Sequence, residues 1–269
     1  MQIHQRVKAK AGEFAPNSKE QFSLKAFRDR LRWQGSFTQR FYFHPEIAHQ
    51  NRYREFDDWY SNTPLDEEHQ QLFQAWQDGE TGFPLVDASM RQLREMGWMN
   101  FRMRAMCATF LTINCGVSWH HGARHFMQNL VDGDLSINNW QWQMQAGITN
   151  PLSETFRIYN PAKNLVEKDP NLEFVRFWVP ELCGYTQEEI AQGVYRSEAF
   201  YSEPIVDWQL TRKVNGKVVS NLRQQVRARL LLEQGADHQE AIATREAVDK
   251  YMESKDRQYQ QIDNNPTYI

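Results

Sequence analysis

The helical pattern of this chain is clearest in residues 81–111, which read TGFPLVDASMRQLREMGWMNFRMRAMCATFL. Asp87 stands at a position typical of a helix N-cap, and Gly97 at one typical of a helix end. After Gly97, apolar residues recur at intervals of four and three: Met99, Met103, Met106, Phe110 and Ile113. This spacing predicts one helix face that packs in a core. A cofactor-binding role for the methionines is the lesser alternative.

The rest of the chain also favours helices over strands. A charged, helix-favouring run over residues 221–261 predicts a pair of solvated helices. Residues 213–220, KVNGKVVS, contain an Asn-Gly pair that predicts a short hairpin. Residues 148–182 are richer in proline and asparagine, which predicts loops between helices. The sequence therefore predicts an all-α protein with a charged helical extension at its C-terminus.

Composition excludes several classes of protein. The 269 residues, 41% of them hydrophobic, suffice for one large domain or two small ones. No stretch approaches the roughly 20 apolar residues of a membrane span, and the first residues lack the apolar segment of a secretory signal. We therefore expect a cytoplasmic protein. Cys107, Cys115 and Cys183 are too few for a disulfide framework and lack zinc-type spacing. The net charge of −3 gives no global basic field, although a local basic patch remains open.

A second informative segment is residues 132–147, DGDLSINNWQWQMQAG. Asp132 and Asp134 flank a glycine, and such carboxylates can accept hydrogen bonds from ribose or ribityl hydroxyls, from adenine or from arginine, or bind a divalent cation. The simpler interpretation makes Asp134 a helix cap in a turn. Upstream, Arg102 and Arg104 point to different faces of a helix, so at least one should point inward. A buried arginine needs an anionic partner, and Asp132 is the candidate.

Tryptophans are interleaved with these charged groups: Trp98, Trp119, Trp140 and Trp142. They are consistent with a tryptophan-rich core, or with a chain of rings that relays an electron to a buried cofactor. His120, His121 and His125 raise a third possibility, metal-dependent hydrolysis. Because neighbouring histidines on a helix point in different directions, we expect no metal site there.

Three stretches together resemble the helical FAD-binding domain of the DNA photolyase/cryptochrome superfamily. In chain order they are TGFPLVDASMRQLREMGWMNFRMRAMCATFL (81–111), WHHGARHFMQNLVDGDLSINNWQWQMQAG (119–147) and FRIYNPAKNLVEKDPNLEFVRFWVPEL (156–182). Looser matches extend the similarity from about Phe27 to Trp208. The resemblance implies an all-α domain that binds FAD in a bent form. It divides the chain into an N-terminal arm (1–26), the FAD-binding domain (27–210), and a hairpin with a charged helical tail (211–269).

Matched position by position, the resemblance implies a flavin site. Arg104 and Asp132 take the places of a salt-bridged pair beside the isoalloxazine ring. Asp134 matches an acid on the adenine and ribose side. Trp98 matches the tryptophan against the flavin pocket, and Asn138 the residue that faces flavin N5.

The resemblance also implies a chain of tryptophans for photoreduction of the flavin. Trp142 takes the place of the flavin-proximal tryptophan, and Trp119 that of the middle one. The distal position of the chain is occupied by Asp66, so that part of the family pattern is lost. Trp59 and Tyr60 are the nearest aromatic alternatives.

The residues that would contact a DNA lesion depart from the family pattern. Trp33 is kept, but Arg30 stands where the family has an acid, and Gln34 where it has an arginine that meets the flavin phosphates. Phe101 replaces an asparagine and Met144 a tryptophan. Because lost hydrogen bonds cost about 1–3 kcal/mol each, we expect lesion repair to be impaired.

The family's N-terminal α/β antenna domain has no counterpart in this sequence, and neither has its Thr-Ser-x-Leu-Ser-Pro stretch, which cradles the FAD phosphates. The resemblance therefore implies either that this chain holds FAD by half of the family's contacts or that a second polypeptide supplies the phosphate-binding half. The implied function is that of a photolyase- or cryptochrome-like flavoprotein with blue-light-driven electron transfer. If a second polypeptide supplies the other half, the pair would be a split DNA photolyase, a deoxyribodipyrimidine lyase acting on pyrimidine photoproducts. The alternative is a scaffold protein that keeps the helical fold to dock on a partner. Arginines near the implied flavin mouth could attract DNA phosphates, or they could form solvated helix faces: Arg28, Arg30, Arg32, Arg40, Arg52 and Arg54.

Overall fold

Helices joined by short turns make up the computed structural model, which describes residues 2–153, 156–192 and 201–234. No strand occurs within those ranges, so the predicted all-α class is confirmed. The α-helices are α1 (Gln2–Gly12), α2 (Lys19–Phe43), α3 (Glu67–Asp78), α4 (Pro84–Met96), α5 (Phe101–Thr109), α6 (Trp119–Asn129), α7 (Leu135–Gln145), α8 (Pro161–Lys168), α9 (Glu173–Trp178), α10 (Gln187–Gln192) and α11 (Trp208–Gln234). A π-helix, Phe110–Asn114, extends α5, and 3-10 turns occupy Pro45–Ala48, Arg54–Phe56 and Pro180–Leu182.

Helix α4 begins earlier than the sequence suggested. Its first residue is Pro84, whose fixed φ suits the first helical turn, and Gly97 ends it with φ 64°, as predicted. The prediction that Asp87 is the N-cap is wrong. Its buried carboxylate instead accepts hydrogen bonds from the backbone N–H groups of Thr81 (2.8 Å) and Gly82 (3.1 Å) and from the Tyr201 hydroxyl. Asp87 thus fastens the loop before α4 to a segment more than a hundred residues away.

The core is built around α5 and its π-helical extension. Asn100 caps α5 by accepting a hydrogen bond from Met103 N at 3.0 Å. All five residues of the predicted apolar stripe are at most 4% exposed, which confirms the core interpretation. The polar groups of the π-helix bond to α11: Asn114 Nδ2 donates to Thr211 Oγ1 at 3.0 Å, and Asn215 Nδ2 donates to Ile113 O at 2.9 Å.

The predicted hairpin at residues 213–220 is wrong, because the whole segment lies inside α11. Asn215 is committed to the π-helix, and Gly216 is buried, with Ile158 so close that an added Cβ would lie 3.1 Å from its Cδ1. Residues 221–234 of the predicted helical tail are helical, and the rest of that tail lies outside the described residues. The predicted loop region 148–182 contains two helices, α8 and α9.

Arg223 of α11 holds the segment that follows α7 in place. It is 4% exposed and donates to four backbone carbonyls, those of Gly147, Thr149, Asn150 and Ser153, at 2.6 to 3.0 Å. Burial lowers the pKa of its guanidinium to about 10, which still leaves it charged at neutral pH. Helix α11 is therefore part of the folded domain, although the predicted boundary placed most of it in a tail.

The N-terminal helices flank this core. Helix α1 packs on α2, and α2 packs on α7 and the 3-10 turn Pro45–Ala48. No helix in the described ranges is both long and apolar enough to cross a membrane.

Close packing between α6 and α7 gives a first prediction. A Cβ on Gly122 would lie 2.2 Å from Cη2 of the buried Trp142 indole and 2.7 Å from Leu111 Cδ2. Since neither a rigid ring nor the core around it can give way cheaply, Gly122→Ala should lower the free energy of unfolding in urea by about 1–3 kcal/mol. Gly35→Ala is the matched control, because α2 has open space there and alanine favours helix. Equal stability of the two variants would contradict this packing.

Candidate functional site

An ion pair joins α5 to the turn before α7. Arg104 Nη2 lies 3.0 Å from both carboxylate oxygens of Asp132, and Arg104 Nε donates to Met99 O at 2.6 Å. The predicted pairing of these two side chains is therefore confirmed. The Arg104 side chain is 25% exposed and that of Asp132 51%, so the pair is half-open to solvent. Its geometry fixes a guanidinium at the edge of the core.

Asp134 caps α7, as the simpler interpretation of the sequence predicted. Its Oδ1 accepts hydrogen bonds from Ser136 N (2.9 Å), Ser136 Oγ (2.5 Å) and Ile137 N (3.1 Å). These bonds use one carboxylate oxygen, so Oδ2 is the atom that could accept from a ligand hydroxyl. Asp132 and Asp134 thus have separate roles, and in the described part of the chain no group of three or more potential ligands is placed to hold a metal ion.

Amide groups follow along α7. Asn138 is half-buried and donates through Nδ2 to Ala123 O and to Asn139 Oδ1, both at 3.0 Å. Since its donors are used, the atom it offers to a ligand is the acceptor Oδ1. One turn further on, Gln141 Oε1 is buried without a hydrogen-bond partner among the described residues. A buried, unsatisfied acceptor is costly, which favours a ligand with donors at this place.

Aromatic side chains near the N-terminus of α5 are unusually accessible. Trp98 is 44% and Phe101 50% exposed, and the Arg30 guanidinium lies 5.2 Å from the centre of the Phe101 ring. The structure therefore brings together two positions, 30 and 101, that the sequence assigned to one substrate site. Trp33 is half-buried and packs against Phe37, with ring centres 5.7 Å apart. Met144 is half-buried on α7.

Trp142 is buried in an aromatic cluster. Its ring centre lies 4.9 Å from that of Phe126 and 6.0 Å from that of Trp76, and its Nε1 has no partner among the described groups. Trp76 was missed by the sequence reasoning. Its only local signal was its place three residues after Phe73 on the amphipathic α3.

Trp119, which is fully buried, has different neighbours. Its Nε1 donates to Asn51 Oδ1 at 2.7 Å, and its ring stacks on His120 with centres 3.9 Å apart. Within the described ranges no ring contact joins Trp119 directly to Trp142. Asn51 was also missed, because nothing in its local sequence points to an indole 68 residues away.

At the distal position of the implied electron chain, Asp66 is an exposed N-cap of α3 that accepts from His69 N at 2.8 Å. The two aromatic alternatives lie side by side: Trp59 is half-buried, Tyr60 is fully buried, and their rings meet edge-on with centres 6.2 Å apart. Tyr60 donates its hydroxyl to Ala146 O at 3.0 Å.

The histidines of α6 have separate partners. His120 Nδ1 lies 2.9 Å from Ser118 Oγ, His121 Nε2 3.2 Å from Thr63 O, and His125 Nδ1 2.8 Å from Gln77 Nε2. Burial lowers the pKa of His120 and of His125 to about 4, so both imidazoles are neutral at pH 7. The ring stacked on Trp119 therefore adds no positive charge beside that indole.

Comparison with known proteins identifies similarity to the FAD binding domain of DNA photolyase. A family model described as the FAD binding domain of DNA photolyase matches residues 27–221. Deoxyribodipyrimidine photo-lyase of Escherichia coli is 38% identical over 154 residues, which are 57% of this chain and 32% of the relative. That of Streptomyces griseus is 37% identical over 204 residues, 73% of this chain and 43% of the relative.

Solved structures of photolyases are also similar to this chain. A photolyase from Sulfolobus tokodaii with two FAD molecules superposes with a TM-score of 0.65 and 33% identity over 73% of this chain and 44% of its own. A class III photolyase from Agrobacterium tumefaciens has a TM-score of 0.70 and 27% identity over 82% of this chain and 46% of its own. The chain thus spans less than half the length of these relatives.

The buried titratable groups predict how stability depends on pH. His120 has a folded pKa of about 4, below its ordinary 6.5, so its contribution is fully present above pH 6.5 and is lost as pH falls towards 4. Burial raises the pKa of Asp87 from 3.8 to about 6, so its contribution has the opposite sign and grows as pH falls from 6 to 3.8. Urea unfolding of His120→Gln should therefore show a shallower loss of stability between pH 6.5 and 4, by on the order of 1–2 kcal/mol.

Asp87→Asn provides the contrast, because it removes the opposing contribution and should make that loss steeper than in the unmodified protein. Parallel pH profiles for all three proteins would show that neither group is perturbed by burial.

Proposed function

This chain belongs to the family of FAD-binding domains of DNA photolyase, and we propose that it works as a photolyase- or cryptochrome-like flavoprotein in which blue light drives electron transfer through Trp142 and Trp119. The single observation that carries the proposal is the half-open Arg104–Asp132 pair beside the polar groups of α7. A fixed cation, together with an unsatisfied acceptor on α7, Gln141 Oε1, suits a polar, ring-shaped ligand whose charge changes.

The residues present fit FAD. When bound, FAD supplies a ring system that absorbs blue light and exchanges electrons. Arg104 is fixed by Asp132 and Met99 O, and its positive charge stabilises added negative charge nearby without having to reorganise. Asn138 Oδ1 and Gln141 Oε1 offer acceptors to ring N–H groups or ribityl hydroxyls, and Asp134 Oδ2 offers one to a ribose hydroxyl.

The surroundings of Trp119 support its role as an electron donor. An indole that loses an electron becomes positively charged, and here its N–H points at the carbonyl oxygen of Asn51. Asn51 in turn donates to Asp57 Oδ1 at 2.9 Å, which places a carboxylate behind the amide. Both groups lower the energy of a positive indole, and the neutral His120 ring does not oppose it.

Trp142 sits in a drier setting. It is 2% exposed, and its neighbours Phe126, Trp76 and Gly122 bring no charge. Such surroundings give a positive Trp142 no nearby stabilisation, whereas Trp119 has Asn51 and Asp57. This difference favours movement of the positive charge from Trp142 outward to Trp119, which separates it from the negative charge that Arg104 would stabilise.

The action on DNA is the finer part of the proposal. The relatives named deoxyribodipyrimidine photo-lyases are more than twice as long as the segment that matches this chain. Arg30 over the Phe101 ring offers donors where the family resemblance expects a carboxylate and an amide. From the relatives' name we propose a pyrimidine photoproduct as the DNA substrate. We expect this chain to bind it more weakly than a chain that keeps the family's acid and asparagine at positions 30 and 101.

Arg104→Gln tests the cofactor site. Loss of the charge should cost about 1–2 kcal/mol of FAD binding, so that the dissociation constant in a flavin fluorescence titration rises about 5- to 30-fold. Arg94→Gln is the matched control, because this exposed arginine of α4 pairs with Glu95 and donates to Asp78 O, neither of which is a proposed FAD contact. Equal affinities of the two variants would remove Arg104 from the site.

Retention of flavin by the unmodified chain after dialysis separates the remaining alternatives. Flavin that stays bound argues against a scaffold protein with an emptied pocket. If flavin is retained only when a co-purified polypeptide is present, the predicted second chain supplies the missing contacts. If neither preparation holds flavin, the proposed function is wrong.

Trp142→Phe tests the electron path. The variant should keep FAD, because phenylalanine fills most of the indole's space, but blue-light reduction of the bound flavin with an external reductant should slow by about tenfold or more. Trp140→Phe is the control, since Trp140 lies in a separate cluster with Phe37 and Ile47. Unchanged photoreduction in Trp142→Phe, measured by absorbance, would exclude Trp142 as the first donor.

A further inference from the structure

Positive charge is concentrated at the N-terminal end of the chain. Residues 2–32 contain eight lysines and arginines and three acidic residues, whereas the whole chain has 31 against 34. The rest of the molecule therefore carries an excess of acidic side chains. A local field of this kind can attract a polyanion even though the net charge is −3.

These residues form one structural unit, which we name the basic arm: α1 together with the first half of α2, residues 2–32. Helix α1 packs on α2, with Ala11 buried at 6% exposure and its carbonyl accepting from Gln21 Nε2 at 3.3 Å. The inner end of the arm reaches the candidate site, where Arg30 lies over the Phe101 ring. From Arg30 back to Lys19, α2 runs for about 17 Å, the length of roughly five base pairs of duplex DNA.

Part of the arm's charge is not neutralised by the protein. Lys10 pairs with Glu13 at 2.6 Å, and Arg28 and Arg32 share Asp29 at 3.7 and 4.0 Å. Among the described residues no salt bridge involves three other exposed cations of the arm, which are Arg6 and Lys8 on α1 and Lys25 on α2. Such cations gain most from a multivalent anion, because binding one releases its condensed counterions.

The arm's apolar residues argue for a nucleic acid rather than a lipid surface. Membrane-surface helices bury a broad apolar face in the bilayer boundary. Here only Ile3 and Phe27 are exposed large apolar residues among residues 2–32, whereas Val7, Phe14 and Phe22 are half-buried. Charge without an insertable apolar face fits a phosphodiester backbone.

We propose that the basic arm is a second DNA-binding surface, which contacts phosphates flanking the nucleotide presented to the flavin site. Residues 2–26 of the arm lie outside the segment that the family model matches, so the arm adds a contact of its own to the family's domain. The inference rests on the proposed function only for the position of the DNA, since binding to the arm needs neither flavin nor light.

The test is salt-dependent binding of the full chain to a fluorescein-labelled DNA duplex in the dark, followed by anisotropy. The triple variant Arg6→Gln/Lys8→Gln/Lys25→Gln should bind about tenfold more weakly at low salt. The slope of log K against log salt concentration should become shallower by about 2 to 3, since each lost phosphate contact contributes about 0.9. The single variant Lys25→Gln should lower the slope by about 1, which keeps the test valid if the triple variant melts α1.

The matched control removes three exposed lysines elsewhere: Lys163→Gln/Lys213→Gln/Lys217→Gln. It has the same net charge as the arm variant, so a general electrostatic effect would lower both slopes equally and overturn the proposal. The proposal would also be overturned if the full chain bound phosphatidylserine vesicles more strongly than the duplex and the vesicles displaced the duplex.

Failure of this inference can be told apart from failure of the proposed function. An arm variant that retains flavin and photoreduction, with an unchanged salt slope, refutes the arm alone. Arm-dependent DNA binding by a chain that never holds flavin refutes the flavoprotein proposal and leaves the arm intact.

Discussion

The structure depends on the hydrogen bonds made by the buried amide side chains of α7. Asn139, Gln143 and Gln145 are each at most 8% exposed, and a buried amide without partners would cost several kcal/mol. Asn139 donates to Ala48 O at 2.8 Å, Gln143 exchanges hydrogen bonds with the backbone of residues 50 and 52, and Gln145 accepts from Thr109. These bonds fix α7 against α5 and against the segment that follows α2. The polar stripe of α7, with Asn138 and Gln141, is therefore held at one position.

Local sequence predicted those parts of the fold that depend on neighbours along the chain. The apolar stripe of α5, the end of α4 at Gly97 and the capping of α7 by Asp134 all follow from side chains within a few residues. The hairpin prediction is wrong because an Asn-Gly pair is typical of a turn, whereas Asn215 here donates to Ile113 O, more than a hundred residues away. The prediction of an N-cap at Asp87 is wrong for the same reason, because a distant residue, Tyr201, donates its hydroxyl to the Asp87 carboxylate.

The candidate site divides in the same way. The Arg104–Asp132 pair was predicted from charge balance, because a helix that is apolar around an arginine demands a nearby anion. The proposed roles of Trp98, Asn138, Trp119 and Trp142 rest on the family resemblance, since no periodicity distinguishes an electron donor from a core residue. Asn51 and Trp76 could not be found from sequence, because each acts through a contact with an indole more than 60 residues distant.

The buried indoles of Trp142 and Trp76 have no charged side chain among the ring neighbours described above. The interior around Trp142 and Trp76 contains aromatic rings and the neutral imidazole of His125, whose pKa burial holds near 4. The Arg104–Asp132 pair is half-open to solvent, and Asp57, which accepts from Asn51, is exposed. In a low-dielectric interior, a transferred electron and the positive charge it leaves behind attract each other strongly. A cation near the electron and an anion near the positive charge oppose their recombination. An uncharged aromatic cluster, with Arg104 available to an added negative charge and Asn51 with Asp57 available to a positive Trp119, would therefore suit the charge separation proposed above.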